Sequence, residues 1–156
     1  MIFCVRNPYS WALSLFKRPY HQRGPKSKRM LDFVTQPWMT VARDNMPAVL
    51  HSPLELWNVK TAAYEKFARE AKVPTRLIRF EHFVANPEGE VKEALTEFGI
   101  SFDAIKQVET STKYPDITLT ELSSYYEREE LKNHLTQEVV TAINALLDWN
   151  LVAKYG

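Results

Sequence analysis

A short, wholly apolar run, Ile2-Phe3-Cys4-Val5, stops at Arg6 and gives way at once to Asn7-Pro8. A partly β-branched run of this length suits a strand buried on both faces of a parallel sheet. Asn followed by Pro is a helix start, because Asn caps the free N–H groups and proline has its φ already set for the first turn. This strand-to-helix junction constrains the fold more than any other feature of the chain. A parallel sheet needs a crossover, so a second strand must follow. Leu77-Ile78-Arg79-Phe80 supplies it, ended by Glu81. The order strand, helices, strand, helix predicts a βαβ unit with helices against a parallel sheet.

The helices between and after the strands are legible from apolar spacing. Trp11, Ala12, Leu15 and Phe16 share one face of a first helix that should end before Pro19. Residues 22–29 read as a loop, and Met30 to Trp38 as a further short helix. Ser52 caps and Pro53 opens a long helix whose Leu54, Trp57, Tyr64, Phe67 and Ala71 recur at helical spacing up to Pro74. Asn86-Pro87 opens another, with Val91, Ala94, Leu95 and Phe98 in one stripe before Gly99. A last helix from Thr136 carries Val139, Val140, Ile143, Leu146 and Leu147. No repeat or long linker divides the 156 residues, so a single domain spanning 1–156 is expected.

Several chemistries are excluded by what the chain lacks. Its four glycines, at 24, 89, 99 and 156, are too far apart for a complete phosphate-cradling loop. Four scattered histidines and one cysteine make no metal-ligand spacing, and no metal site is expected. No serine sits in G-x-S-x-G. With Cys4 alone, no intramolecular disulfide can form, which points to a reducing compartment. Neither a membrane span nor a targeting segment is visible, so a cytoplasmic location and no membrane partner are expected.

Charge is distributed unevenly. The net charge is +1, yet residues 1–30 hold seven basic residues and no acid, while the rest of the chain carries a balance of −6. Such a basic start suggests that an anion is bound near it. Ligands of open parallel sheets gather outside the carboxyl ends of strands, which is where Arg6 stands, with a helix N-terminus behind it. Ser14 follows eight residues later, about two helical turns along, within reach of an anion paired to Arg6. A surface-paired Arg6 and a Ser14 bonded back to its own helix are the plainer alternatives.

The stretch from Val5 to Phe16, with Arg6 and Ser14 eight apart, resembles the 3′-phosphate-binding motif of sulfotransferases that use 3′-phosphoadenosine 5′-phosphosulfate (PAPS). Residues Leu77 to Pro87 are similar to the second signature of that family, a strand ending in Tyr-Glu-Asp before an Asn-Pro helix start. Here Phe80 stands in place of the Tyr and His82 in place of the Asp. Leu146 to Gly156 also resembles the end of such domains. The resemblance implies an α/β fold of the P-loop sulfotransferase type, with a partial parallel sheet flanked by helices. It implies transfer of a sulfuryl group from PAPS to a hydroxyl or amine acceptor, small molecule or carbohydrate, leaving adenosine 3′,5′-bisphosphate. Arg6 would pair with the 3′-phosphate, Ser14 would hydrogen-bond to it, and Lys113 is a weaker candidate for a loop closing on the cofactor.

The family's first strand and phosphosulfate loop, which precede the Arg-bearing strand, have no counterpart here. The chain is therefore expected to be a fragment of a longer sulfotransferase, favoured over a degenerate relative by its intact Arg/Ser motif. No catalytic residue is assigned: His21, His82 and Glu81 are the nameable bases, and the base is expected outside this chain. A truncated sheet leaves an open edge, so a homo-oligomer is expected. Two other readings compete. One is a non-catalytic anion- or nucleotide-binding module. The other, less favoured, is nucleic-acid binding through residues 17–29.

Overall fold

The computed structural model describes residues 1–19, 22–24, 26–105, 110–111, 114–118, 121, 124 and 135–156. The chain is mixed α/β and helix-rich. It packs as two compact units, one of residues 1–6 and 63–130, the other of residues 7–62 and 131–156.

In the first unit, β1 (Ile2–Val5) pairs in parallel with β4 (Arg76–Arg79), in the register Ile2↔Arg76, Phe3↔Leu77, Cys4↔Ile78 and Val5↔Arg79. The crossover inferred from the two apolar runs is thus present. Side chains alternate across a strand, so Phe3 and Val5 face one side and Ile2 and Cys4 the other. Phe3 stacks on Tyr64, with ring centroids 4.6 Å apart, and meets the edge of Phe67 at 5.5 Å. Both rings come from the second half of α3 (Pro53–Glu70). Their i, i+3 spacing, which marked them as one face, sets them over the same strand residue.

The opposite side of the sheet is covered above β4 by α5 (Pro87–Glu97). Arg76 Nη2 lies 2.6 Å from Glu93 and 3.4 Å from Glu90, and its Nη1 lies 3.0 Å from Glu97. These three carboxylates recur at helical spacing and so share one stripe of α5. Ile78 beside Arg76 is buried, whereas Ile2 and Cys4 of β1 are exposed. The expectation that β1 is buried on both faces is therefore corrected. Among the described residues this sheet has two strands, so β1 is an edge there, and α5 sits over its neighbour. A second correction concerns Phe80, which opens α4 (Phe80–Ala85) instead of ending the strand.

Caps start and stop α5 as the sequence indicated. Asn86 Oδ1 accepts from Gly89 N at 3.0 Å, and Gly99 adopts a left-handed φ of +66° just beyond the helix. Further along, β5 (Thr110–Ser111) pairs antiparallel with β6 (Tyr114–Thr118).

The second unit has its own core. Its elements are α1 (Pro8–Lys17), α2 (Met30–Thr35), β2 (Trp38–Met39), β3 (Val49–Leu50), the first half of α3, α6 (Gln137–Leu146) and α7 (Trp149–Tyr155). Phe33 is central: its ring meets Phe16 at 5.4 Å and Trp38 at 6.2 Å, both edge-on. Phe33 and Trp38 each keep 1% of their surface, and burying such a side chain contributes roughly 1.5–3 kcal/mol. The helix expected from Met30 to Trp38 ends at Thr35, and Trp38 pairs instead with Leu50 in a short antiparallel ribbon.

At the start of α3, Ser52 Oγ accepts from Glu55 N at 3.2 Å, while Glu55 Oε2 accepts from His51 N. This is a reciprocal cap, and Glu55 adds a favourable charge in the first turn. Asn58 ties the α6–α7 turn to α3, donating to Leu146 O at 2.9 Å and accepting from Asp148 N at 3.1 Å.

Candidate functional site

The parallel register fixes what lies at the carboxyl end of the sheet. Val5 pairs with Arg79, so the residues that follow them, Arg6 and Phe80, emerge side by side. The Arg6 guanidinium carbon stands 4.8 Å from the centroid of the Phe80 ring. A guanidinium over an aromatic ring is attracted by the ring quadrupole, which helps to hold the cation in place. Arg6 is half-buried, as expected for a cation at the mouth of a sheet.

Cys4 precedes Arg6 on β1. Its thiol is pushed up to about 11, chiefly by partial withdrawal from water and then by the Glu81 carboxylate. The Arg6 charge opposes this and Glu90 adds to it. The residue nevertheless retains exposed surface. Exposure governs access to the sulfur, while the surrounding charges govern how little of it is thiolate.

Behind Arg6 the chain enters the second unit and turns into α1. Asn7 caps this helix with its side chain, Oδ1 accepting from Tyr9 N at 3.0 Å and from Ser10 N at 3.4 Å. Proline at position 8 has no N–H to offer, and Trp11 N donates to Asn7 O at 2.8 Å. Every N–H of the first turn is therefore engaged. The α1 terminus can act on an anion through its dipole but has no unengaged N–H to donate. Any grip on a phosphate falls to side chains.

Ser14 lies in α1, half-buried. Ser10 bonds back to its helix through Asn7 O at 3.1 Å, but the Ser14 hydroxyl has no hydrogen-bond partner among the described residues. Arg6 belongs to the first unit and Ser14 to the second. Tyr9, one turn before Ser14, donates its hydroxyl to Asn144 Oδ1, anchoring α1 on α6.

Lys113 and His21 lie outside the described residues. Glu81 and His82 both stand on α4, His82 exposed and Glu81 half-buried. Among the described residues no group of three or more His, Cys, Asp or Glu side chains could hold a metal ion, and no helix is long and apolar enough to cross a membrane. The pairing that sequence reasoning missed is Arg6 with Phe80. The signal was present in the two strand ends, but it becomes readable only once the register is known.

Comparison with known proteins finds no family model, no curated protein and no solved structure that matches this chain.

Proposed function

We propose that this chain carries the 3′-phosphate half-site of a PAPS-dependent sulfotransferase of the P-loop type. Arg6 pairs with the 3′-phosphate, and the Ser14 hydroxyl donates to it. The observation that supports this reading is Arg6 laid on Phe80 at the carboxyl end of a parallel strand pair, directly before a capped helix. The Ser14 hydroxyl, which has no hydrogen-bond partner among the described residues, adds to it. Charge pairing with hydrogen bonds to a phosphate is stronger than a neutral contact by about twofold, so Arg6 dominates the pair.

The reaction proposed for the complete protein moves a sulfuryl group from PAPS to a hydroxyl or amine of a small-molecule or carbohydrate acceptor. The phosphosulfate S–O bond breaks as the new bond to the acceptor forms, and the acceptor proton passes to a general base of the complete protein. The role of this half-site is positioning: it holds the nucleotide so that the transferring group lies in line. Titration calorimetry with adenosine 3′,5′-bisphosphate, beside adenosine 5′-monophosphate and Arg6→Ala, tests the reading. Binding that requires both the 3′-phosphate and Arg6 supports it. Equal affinity for the two nucleotides, or an unchanged Arg6→Ala variant, defeats it. Binding without turnover over a range of acceptors favours the non-catalytic module instead.

A further inference from the structure

The basic segment before α2 is built as a fastened ridge, and the sulfotransferase reading makes no use of it. Along residues 22–24 and 26–29, exposure alternates: Gln22, Gly24 and Ser27 are half-buried, while Arg23, Lys26, Lys28 and Arg29 are exposed. The segment is fastened to the body of the second unit. Ser27 Oγ donates to Gln36 Oε1 at the end of α2, and Arg23 N donates to Met39 O at 3.4 Å. Gly24 lies so close to Met39 that a β-carbon there would come 3.5 Å from its sulfur.

The outward cations are largely unneutralised. Arg29 has Asp32 at 3.9 Å, an open pair worth little in water. Arg23, Lys26 and Lys28 form no ion pair among the described residues.

The ridge borders an apolar spot. Met39 and Val49 are register partners on the β2–β3 ribbon, so they share a face, and they are 41% and 53% exposed. Cations alone would suit any polyanion. Cations beside two exposed apolar side chains suit a partner that offers negative charge and hydrocarbon together. A polysaccharide or nucleic-acid backbone offers only the first.

We propose that this face of the second unit docks peripherally on an anionic lipid surface. Arg23, Lys26 and Lys28 lie over the headgroups, and Met39 and Val49 dip toward the acyl boundary. This needs no membrane-spanning helix and does not depend on the proposed nucleotide site.

Co-sedimentation of the full chain with vesicles of phosphatidylcholine, with and without phosphatidylserine, tests it. Binding should require phosphatidylserine and should fade as salt is raised. Each Lys or Arg near such a surface contributes about fivefold, so Lys26→Ala with Lys28→Ala should weaken binding by about 25-fold. Met39→Ser with Val49→Ser should weaken it further, and Arg23→Ala by about fivefold alone. All five side chains are exposed, so unchanged melting curves should accompany each loss. Three results overturn the proposal. One is no binding to phosphatidylserine vesicles at low salt. Another is equal binding to both vesicle types. The third is loss on Lys replacement with none on Met39/Val49 replacement, together with tighter binding to heparin or RNA, which would assign the ridge to a soluble polyanion.

Discussion

Arg6 rests on the face of Phe80, its guanidinium carbon 4.8 Å from the ring centroid. The two residues are 74 positions apart in the sequence, and they meet because each directly follows one strand of a parallel pair held in register by Val5 and Arg79. The ring quadrupole attracts the cation and so helps to fix its position at the end of the strand.

Replacing the ring should therefore weaken anion binding less than removing the cation. A cation–π contact is worth roughly 0.5–2 kcal/mol, so Phe80→Leu should lower affinity for adenosine 3′,5′-bisphosphate by about twofold to thirtyfold. Phe80→Tyr keeps the ring and should bind as the parent does. Calorimetry on the two variants beside Arg6→Ala checks the order. A Phe80→Leu variant that loses as much as Arg6→Ala would mean that the ring touches the ligand itself.

Cys4 should be a slow nucleophile despite its exposed position. With the thiol pushed up to about 11, little thiolate exists at pH 8, and alkylation by iodoacetamide should accelerate steadily as pH rises toward 11. Glu81→Gln removes a charge that disfavours the thiolate and should speed the reaction at pH 9, whereas Arg6→Ala removes a charge that favours it and should slow it. Mass-spectrometric rate measurement on the folded chain reads both signs. Identical rates in the two variants would remove the electrostatic account.

Arg76 joins β4 to α5 through Glu90, Glu93 and Glu97. The Glu93 hydrogen bond contributes most to a guanidinium held even more firmly protonated than usual. Arg76 keeps 22% of its side-chain exposure and Glu93 and Glu97 more than half, so solvent screens much of the attraction. Arg76→Met should cost about 1–2 kcal/mol, part of it from three carboxylates left facing one another. Thermal melts at low salt and at 1 M salt should show the deficit shrinking at high salt, where surface charges interact over only about 3 Å. A deficit independent of salt would assign the loss to packing.

Gly89 and Gly99 should answer differently to alanine. At Gly89 a β-carbon would come 2.2 Å from Asn86 Nδ2, so the cap must open. The lost cap, about 1 kcal/mol, cancels the helix-propensity gain of similar size, and Gly89→Ala should leave stability nearly unchanged. Gly99→Ala meets no neighbour, yet a φ of +66° strains any side chain and should cost about 1 kcal/mol. Chemical denaturation of both variants gives the comparison. A clear gain for Gly89→Ala would show that Asn86 does not cap α5.

The helix boundaries were legible in the residues because they are local decisions. Asn7-Pro8, Ser52-Pro53, Asn86-Pro87 and Thr136 each start a helix where the side chain can accept an N–H from the first turn. The apolar runs likewise announced the two strands and their parallel pairing, since a crossover of that length admits little else. Arg6 at a strand end, before a helix, could be singled out on the same grounds.

Tertiary structure decided what no local pattern contains. Register placed Phe80 under Arg6, and it turned Tyr64 and Phe67 from generic core residues into the cover over Phe3. The position of α5 over β4 left Ile2 and Cys4 exposed on a run that reads as fully buried. Trp38 left a helical pattern because pairing with Leu50 buries its indole against Phe33, a gain that local propensity cannot match. Capping and periodicity act within a few residues of one another. Burial and charge pairing depend on which distant segment arrives, and that is set only when the chain packs.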